Sequence, residues 1–470
     1  MSRPVQSLPV LLVLIAGCSA VPPDSRMGDV EGSAPGSWAA SREARAGVDS
    51  QWINRFGDRD LQRMVREGYA RNYDLKLAEE RVSEAASNAR LAAVPGRPQA
   101  TAGVDGSYRR QQFLGFPGGG GDTTFESYSS AVDVTWELDI WGRIRSAEAA
   151  ELAQFEARGY EVRAARASLA AQIARSWFAL GEANEQIALG KTALGIRQKT
   201  EQAILDRFEL ALEQEGGTAS QVRLARTETE AARENIARWE GERARALRDV
   251  ELLVGRYPVG SDLSRQGLPK IPSSPPAGLP SELLLRRPDI LIAERNYAGA
   301  GKRVDEARLA MFPSLSLTGG IGSSTDDISK LLDSEFGSWN MGAGVTQALL
   351  TGGRLRYEKF ARESRERQTL IELQKTVLDA FGEVEQALVA DRYLARRVAA
   401  QSAAAKEARE AAKSAADEFA EGTTDVLTLL ASENQAIGTA QGLITLRRAQ
   451  LDNRVALHLA LGGDYKVSKK

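Results

Sequence analysis

The chain has 470 residues, 43% hydrophobic and 6% aromatic, with 61 basic against 63 acidic residues and a formal net charge of −2. That balance gives no electrostatic footprint for nucleic acid, and a single cysteine with a single histidine excludes a His/Cys zinc site. A compact core of this size would use more large apolar side chains, whereas long helices packed side by side through alanine would not.

Arg3 followed by the apolar run Leu8 to Ala16 reads as an export signal, too short to span a bilayer. It leads directly into Ile15-Ala16-Gly17-Cys18-Ser19, which resembles a bacterial lipobox. Residues 1–17 are therefore expected to be a lipoprotein signal peptide, and Cys18 the acylated (palmitate-bearing) first residue of the mature chain. The alternative is an ordinary signal peptide with an incidental cysteine, although a lone thiol is unusual in an oxidising compartment. Ser19 in place of an aspartate favours the outer membrane, by resemblance to known sorting rules.

Next come two amphipathic strands. Ala102, Val104 and Tyr108 alternate with Thr101, Asp105 and Ser107, and Tyr128, Val132, Val134, Trp136 and Leu138 alternate with Ser129, Asp133, Thr135, Glu137 and Asp139. Between them Phe113 to Gly121 reads as a flexible tip. Its glycine run, 118–121, lacks the lysine and the strand–loop–helix setting of a phosphate loop. No proline occurs between Pro117 and Pro258, and proline is what a helix interior excludes. A helix is expected from Arg143 to about Leu212, about 70 residues or on the order of 100 Å. A break at Glu213 to Gly217 and a second helix from Ala219 to Val254 follow. Gly181, Gly190, Gly195 and Gly382 allow local bends, at about 1 kcal/mol each relative to alanine. Pro258 to Pro280, rich in Pro, Ser and Gly, reads as an extended connector.

The order then recurs. Leu315, Leu317 and Ile321 alternate with Ser314, Ser316 and Thr318; Ser323 to Gly337 is the tip; Trp339, Met341, Ala343 and Val345 alternate with Asn340, Gly342, Gly344 and Thr346. Helices are expected from Arg354 to Phe419 and from Val426 to Leu461, broken at Glu421-Gly422-Thr423. The residues repeat too. Val134-Thr135 and Gly142-Arg143-x-Arg145 return as Val345-Thr346 and Gly353-Arg354-x-Arg356, 211 residues later in each case, 134 to 345 and 143 to 354. Ala89-Arg90-Leu91-Ala92-x-x-Pro95 returns as Ala307-Arg308-Leu309-Ala310-x-x-Pro313, Gly217-Thr218 as Gly422-Thr423, and Leu252-x-x-Gly255 as Leu459-x-x-Gly462. Matches in one order along the chain indicate a duplicated unit. The expected division is 18–255 for the first repeat (helix, β-hairpin, two long helices), 256–285 for the connector, 286–463 for the second repeat and 464–470 for a tail.

Period two over about ten residues, apolar on one side and polar on the other, is what a transmembrane barrel strand requires. A soluble hairpin with one buried face has the same pattern. No catalytic residues, metal site or cofactor are expected. His458, beside Leu457 and Leu459 in the last helix, reads as a packing or surface residue, and there is no Walker motif and no Rossmann fingerprint after a strand.

Three stretches carry a resemblance: Trp136-Glu137-Leu138-Asp139-Ile140-Trp141-Gly142-Arg143, Leu279-Pro280-Ser281-Glu282-Leu283-Leu284-Leu285-Arg286-Arg287-Pro288-Asp289-Ile290, and Phe312-Pro313-Ser314. With the lipobox, they resemble the TolC-like outer-membrane factor family, in its drug-efflux lipoprotein branch. The resemblance implies an α+β membrane protein, a lipid-anchored homotrimer in the outer membrane. Each chain would give four strands to one shared β-barrel and four helices to a coiled-coil tube across the periplasm. It implies a passive exit duct for small toxic compounds, working with a periplasmic adaptor (membrane fusion) protein and an inner-membrane pump of RND type. The gate and adaptor tip would be built from Gly217, Thr218, Glu421, Gly422, Thr423, Asp425 and Leu427, with Leu427 at the hydrophobic gate position. The sequence departs from the family in one place. Aspartates are common about two turns after the glycine matching Gly422, and here Thr428 and Ala431 stand instead, so an acidic ring would be displaced or weaker. A type I protein-secretion duct and a non-pore periplasmic coiled-coil scaffold are the competing readings. Five methionines and one histidine disfavour a methionine-lined copper or silver route.

Overall fold

The computed structural model describes residues 20–32, 34–40, 52–112, 122–214, 218–263, 266–275, 278 and 280–463. The elements run α1 (Gly28–Glu31), α2 (Arg59–Arg71), α3 (Tyr73–Ala93), β1 (Gln99–Gln112), β2 (Asp122–Leu138), α4 (Arg143–Gln214), α5 (Ala219–Leu253), α6 (Pro280–Leu283), α7 (Pro288–Leu309), β3 (Ser314–Thr325), β4 (Gly337–Thr346), α8 (Arg354–Glu421) and α9 (Val426–Ala460). The proline-free tracts hold the long helices, of 72 and 68 residues. Strands β1 and β2 are longer than their alternating segments, since the polar ribbon pairs on to Gln112 and Asp122. The connector carries no helix or strand among its described residues up to α6. Among the described residues no helix is long and apolar enough to cross a membrane.

The chain forms two compact units, one of Met1–Arg26, Ser83–Glu156 and Arg295–Leu370 and the other of Met27–Val82, Ala157–Glu294 and Ile371–Lys470. The first holds the sheet, antiparallel in the order β1-β2-β3-β4. Its strand-to-helix corner explains the Trp136–Arg143 motif. Asp139 caps α4 by accepting from the Ile144 and Arg145 N–H groups at 2.9 and 2.8 Å, satisfying donors every helix start leaves open. Arg143 pairs with Glu137 at 2.7 Å. Trp136 donates to the Gly96 carbonyl at 2.9 Å and Trp141 to that of Pro313 at 2.8 Å, and Trp141 lies against Phe312, centroids 5.5 Å apart.

The second unit has the larger core, in which Trp52, Ile53 and Phe56 meet Leu61, Phe178, Val250 and Leu451. His458 is fully buried there and stacks on Trp52 with centroids 5.4 Å apart. Two glycines occupy matching left-handed turns, Gly255 after α5 (φ 77°) and Gly462 after α9 (φ 71°). A Cβ on Gly255 would lie 2.7 Å from the Arg71 carbonyl oxygen, so both conformation and space demand glycine. Gly181 does not break α4. A Cβ there would sit 3.1 Å from the Gly267 backbone, where the connector crosses the helix, so close approach rather than bending accounts for it.

Candidate functional sites: a two-faced sheet and paired hairpin tips

The registers decide what each face of the sheet is made of, because directly opposed residues share a face. Ala102 opposes Val132, Val132 opposes Ile321 and Ile321 opposes Trp339. One row on, Ala100, Val134, Gly319 and Met341 align, then Trp136, Leu317 and Ala343, then Leu138, Leu315 and Val345. Every apolar position expected from the alternation between those rows falls on one side. Thr101, Asp133, Thr318, Asn340 and Ser316 fall on the other. A slip of one residue in any pairing would have mixed them. The apolar side is open in the single chain, with Val104 at 74%, Trp339 at 76% and Met341 at 83% exposure. From Leu138 to Tyr128 the strand advances ten residues, about 33 Å along its axis. At a tilt of 35–45° that gives a band about 25 Å tall, the height of a barrel's lipid-facing belt.

In the second unit α4 from residue 157 onward forms one hairpin with α5, and α8 from residue 371 onward forms another with α9. Their ends pack together through Ile204, Val222, Phe419, Val426, Leu429 and Leu430. On α9 the spacing 426, 429, 430, 433 buries one face, while Leu427 (62% exposed), Thr428 and Ala431 point away from it. Residue Glu421 ends α8, and the chain turns through Gly422 (φ 79°) with Thr423 N–H donating to the Glu418 carbonyl at 2.9 Å. Asp425 caps α9, accepting from the Thr428 N–H at 2.7 Å. That bond holds its carboxyl below the usual carboxylate range. Across from it, Thr218 N–H donates to Gln221 Oε1 at 3.2 Å at the start of α5. Thr218 and Asp425 line one cavity of about 320 Å³ with Arg207 and Phe419. Arg207 lies over the Phe419 ring at 3.9 Å and donates to the Phe419 carbonyl.

The tip residues Glu421, Gly422, Thr423, Asp425 and Leu427 thus gather at the α8–α9 turn with Thr218 at the start of α5 beside them, while Gly217 and Cys18 lie outside the described residues. Sequence reasoning missed Arg207. It also missed a buried cluster further along the hairpins, where Arg197 Nη1 meets Glu433 at 2.6 Å, Arg197 Nη2 meets Asn434 Oδ1 at 2.6 Å, and Thr200 donates to Glu433 at 2.8 Å. With 63 acidic residues in the chain, no spacing singles these out.

Residues 65–256 and 279–463 match the family described as outer membrane efflux protein. The chain is 28% identical to the cation efflux system protein CusC of Escherichia coli over 98% of this chain and 99% of that protein. It is equally similar, 28% over 99% of both, to the solvent efflux pump outer membrane protein SrpC of Pseudomonas putida. Among solved structures, the outer-membrane channel OprN superposes with a TM-score of 0.86 at 26% identity, covering 95% of this chain and 99% of that one.

Proposed function

The chain belongs to the outer membrane efflux protein family, and from that premise we propose how its parts serve as the exit duct of a tripartite efflux system. The duct conducts passively, receiving small toxic compounds from an inner-membrane pump of RND type through a periplasmic adaptor. The observation that carries the membrane half of this reading is the register. It gathers an open apolar face of belt height on one side and a face of Ser, Thr, Asn, Asp and Gly on the other, as lipid outside and water inside require. A non-pore scaffold has no use for such a face.

Within the chain β1 and β4 are edges, and an open edge cannot sit in hydrocarbon. Three chains, each with four strands, close one barrel. The recurrence of a hairpin followed by helices of 72 and 35, then 68 and 35 residues supports a duplicated unit, 18–255 and 286–463, doubling the helices around the tube. Protein purified in detergent is expected to run as a trimer by calibrated light scattering. A stable folded monomer would contradict the closure argument.

The paired tips are the adaptor-facing end, with Leu427 turned to the axis at the narrowest point. Its exposure beside a buried Val426–Leu429–Leu430 face supports this. Relatives of equal identity carry names as different as cation efflux and solvent efflux, which supports leaving substrate choice to the pump. Cys18 is the acylated residue; the mature N-terminus should appear in mass spectrometry as a lipid-modified Cys18. An unmodified terminus at another residue would remove the anchor. Several acyl chains hold a protein stably where one does so marginally.

A further inference from the structure

Residues 326–336 join β3 to β4 at the sheet end away from the helices. Asp326, Asp327, Lys330, Asp333 and Glu335 suit a loop standing in water. The loop instead folds back over the apolar face. Leu331 is 9% exposed, and it walls a groove of about 670 Å³ whose floor is the sheet's Ala102, Val132, Ile321 and Trp339. That volume lies in the range of sites that take small apolar ligands.

The groove is graded along its length. Ala102, Val132, Ile321 and Trp339 make the row nearer the membrane centre; the next row outward holds Val104, Ser130, Ser323 and Gly337, so polar groups enter at its middle, with Ser334 and Asp333 of the loop at the lip. The Ser323 hydroxyl oxygen is enclosed and has no hydrogen-bond partner among the described residues. An enclosed hydroxyl of this kind is costly unless something bonds it. Leu332 (91%) also borders the groove, and Ile328 (64%) extends the apolar surface beyond it.

We infer that the groove binds one acyl chain of an outer-leaflet membrane lipid, with the Ser323 hydroxyl turning about its Cα–Cβ bond to meet the ester or hydroxyl oxygen at the head end of that chain. The groove opens onto the face that meets lipid, and this inference rests on that reading of the sheet. Asp333 is the one charged residue in the lining among the described residues and would repel a free carboxylate, so a neutral ester or hydroxyl is the group that fits. The loop is then a strap that holds a lipid against the barrel wall.

Two measurements separate the inference from its premise. Vesicles of dibrominated phosphatidylcholine should quench Trp339, read as the difference between wild type and Trp339→Phe. Absence of quenching would remove the lipid-facing sheet itself. Native mass spectrometry of protein purified from outer membranes should then show about one retained lipid per chain. Ala102→Trp, which fills the groove with an indole from an exposed position, should cut retention roughly tenfold while leaving Trp339 quenching in place. Ser323→Ala should cut it about fivefold, the loss of one neutral hydrogen bond. Retention unchanged in Ala102→Trp, or a groove holding detergent only, overturns the inference. Loss in Ala102→Trp without loss in Ser323→Ala overturns the assignment of the head-end oxygen.

Discussion

Arg197→Ala should lower the stability of the helical hairpins by about 3–5 kcal/mol, the usual cost of stripping one partner from a buried ion pair. Both side chains are enclosed, Arg197 at 3% exposure and Glu433 at 5%. The pair joins α4 to α9, with Asn434, Thr200 and Glu228, the last 3.6 Å from Arg197, completing the set. Without the guanidinium, the Glu433 carboxylate would be left with the Thr200 hydroxyl and with Glu228, which repels it. The measurement is the unfolding midpoint of the helical circular dichroism signal in detergent. A double substitution, Arg197→Met with Glu433→Leu, removes both charges and should sit within roughly 1 kcal/mol of wild type, since apolar replacements of similar volume are often neutral. A single variant as stable as wild type would show that the pair contributes nothing.

The same site gives a pH signature. Burial pushes the Glu433 carboxyl above its ordinary value despite the Thr200 bond and the Arg197 charge. The folded state therefore holds this proton more tightly than the unfolded chain, so the group adds stability as pH falls through its folded pKa towards 4.5. Above that window the buried charge is a cost. Wild type should gain on Glu433→Gln as the solution is acidified. For Arg197→Ala the carboxyl rises further, so its deficit should narrow over the same window. A deficit that widens on acidification would mean that the carboxylate is not the destabilising group.

Much of this fold can be read from residue patterns, because both kinds of element rest on simple periodicities. Alternation places Val132, Val134 and Trp136 on one face whatever they pair with, and the lack of proline between Pro117 and Pro258 leaves α4 uninterrupted. The paired glycines Gly255 and Gly462 could be matched because only glycine fits a left-handed turn against backbone. Three features could not be read. Gly181 looks like a bend until the connector is seen crossing it. Arg197 has a partner 236 positions away, chosen by helix packing from dozens of equivalent carboxylates. The loop at 326–336 has the polarity of a solvated turn, and one leucine, Leu331, reverses its placement. Each depends on a contact distant in sequence, where local pattern carries no information.

Leu427→Ser should raise single-channel conductance in planar bilayers roughly severalfold, while Asp425→Asn leaves it near wild type. The asymmetry follows from what each side chain already does. Asp425 accepts the Thr428 N–H at 2.7 Å as the cap of α9, so its charge is aligned with its own helix terminus, where a negative group is favoured. Asparagine caps nearly as well, so the turn should survive that substitution. Thr428 and Ala431 carry no charge to form a ring in its place. Leu427 is 62% exposed on the free face of α9. Three copies facing one axis would make an apolar constriction that closes by excluding water, and a serine hydroxyl at each position would wet it. Leu427→Ile, similar in size and polarity, should stay closed, which separates loss of apolar character from loss of shape. If Asp425→Asn opens the pore and Leu427→Ser does not, closure is electrostatic, and the missing acidic positions at 428 and 431 have been replaced by Asp425 rather than by a leucine ring.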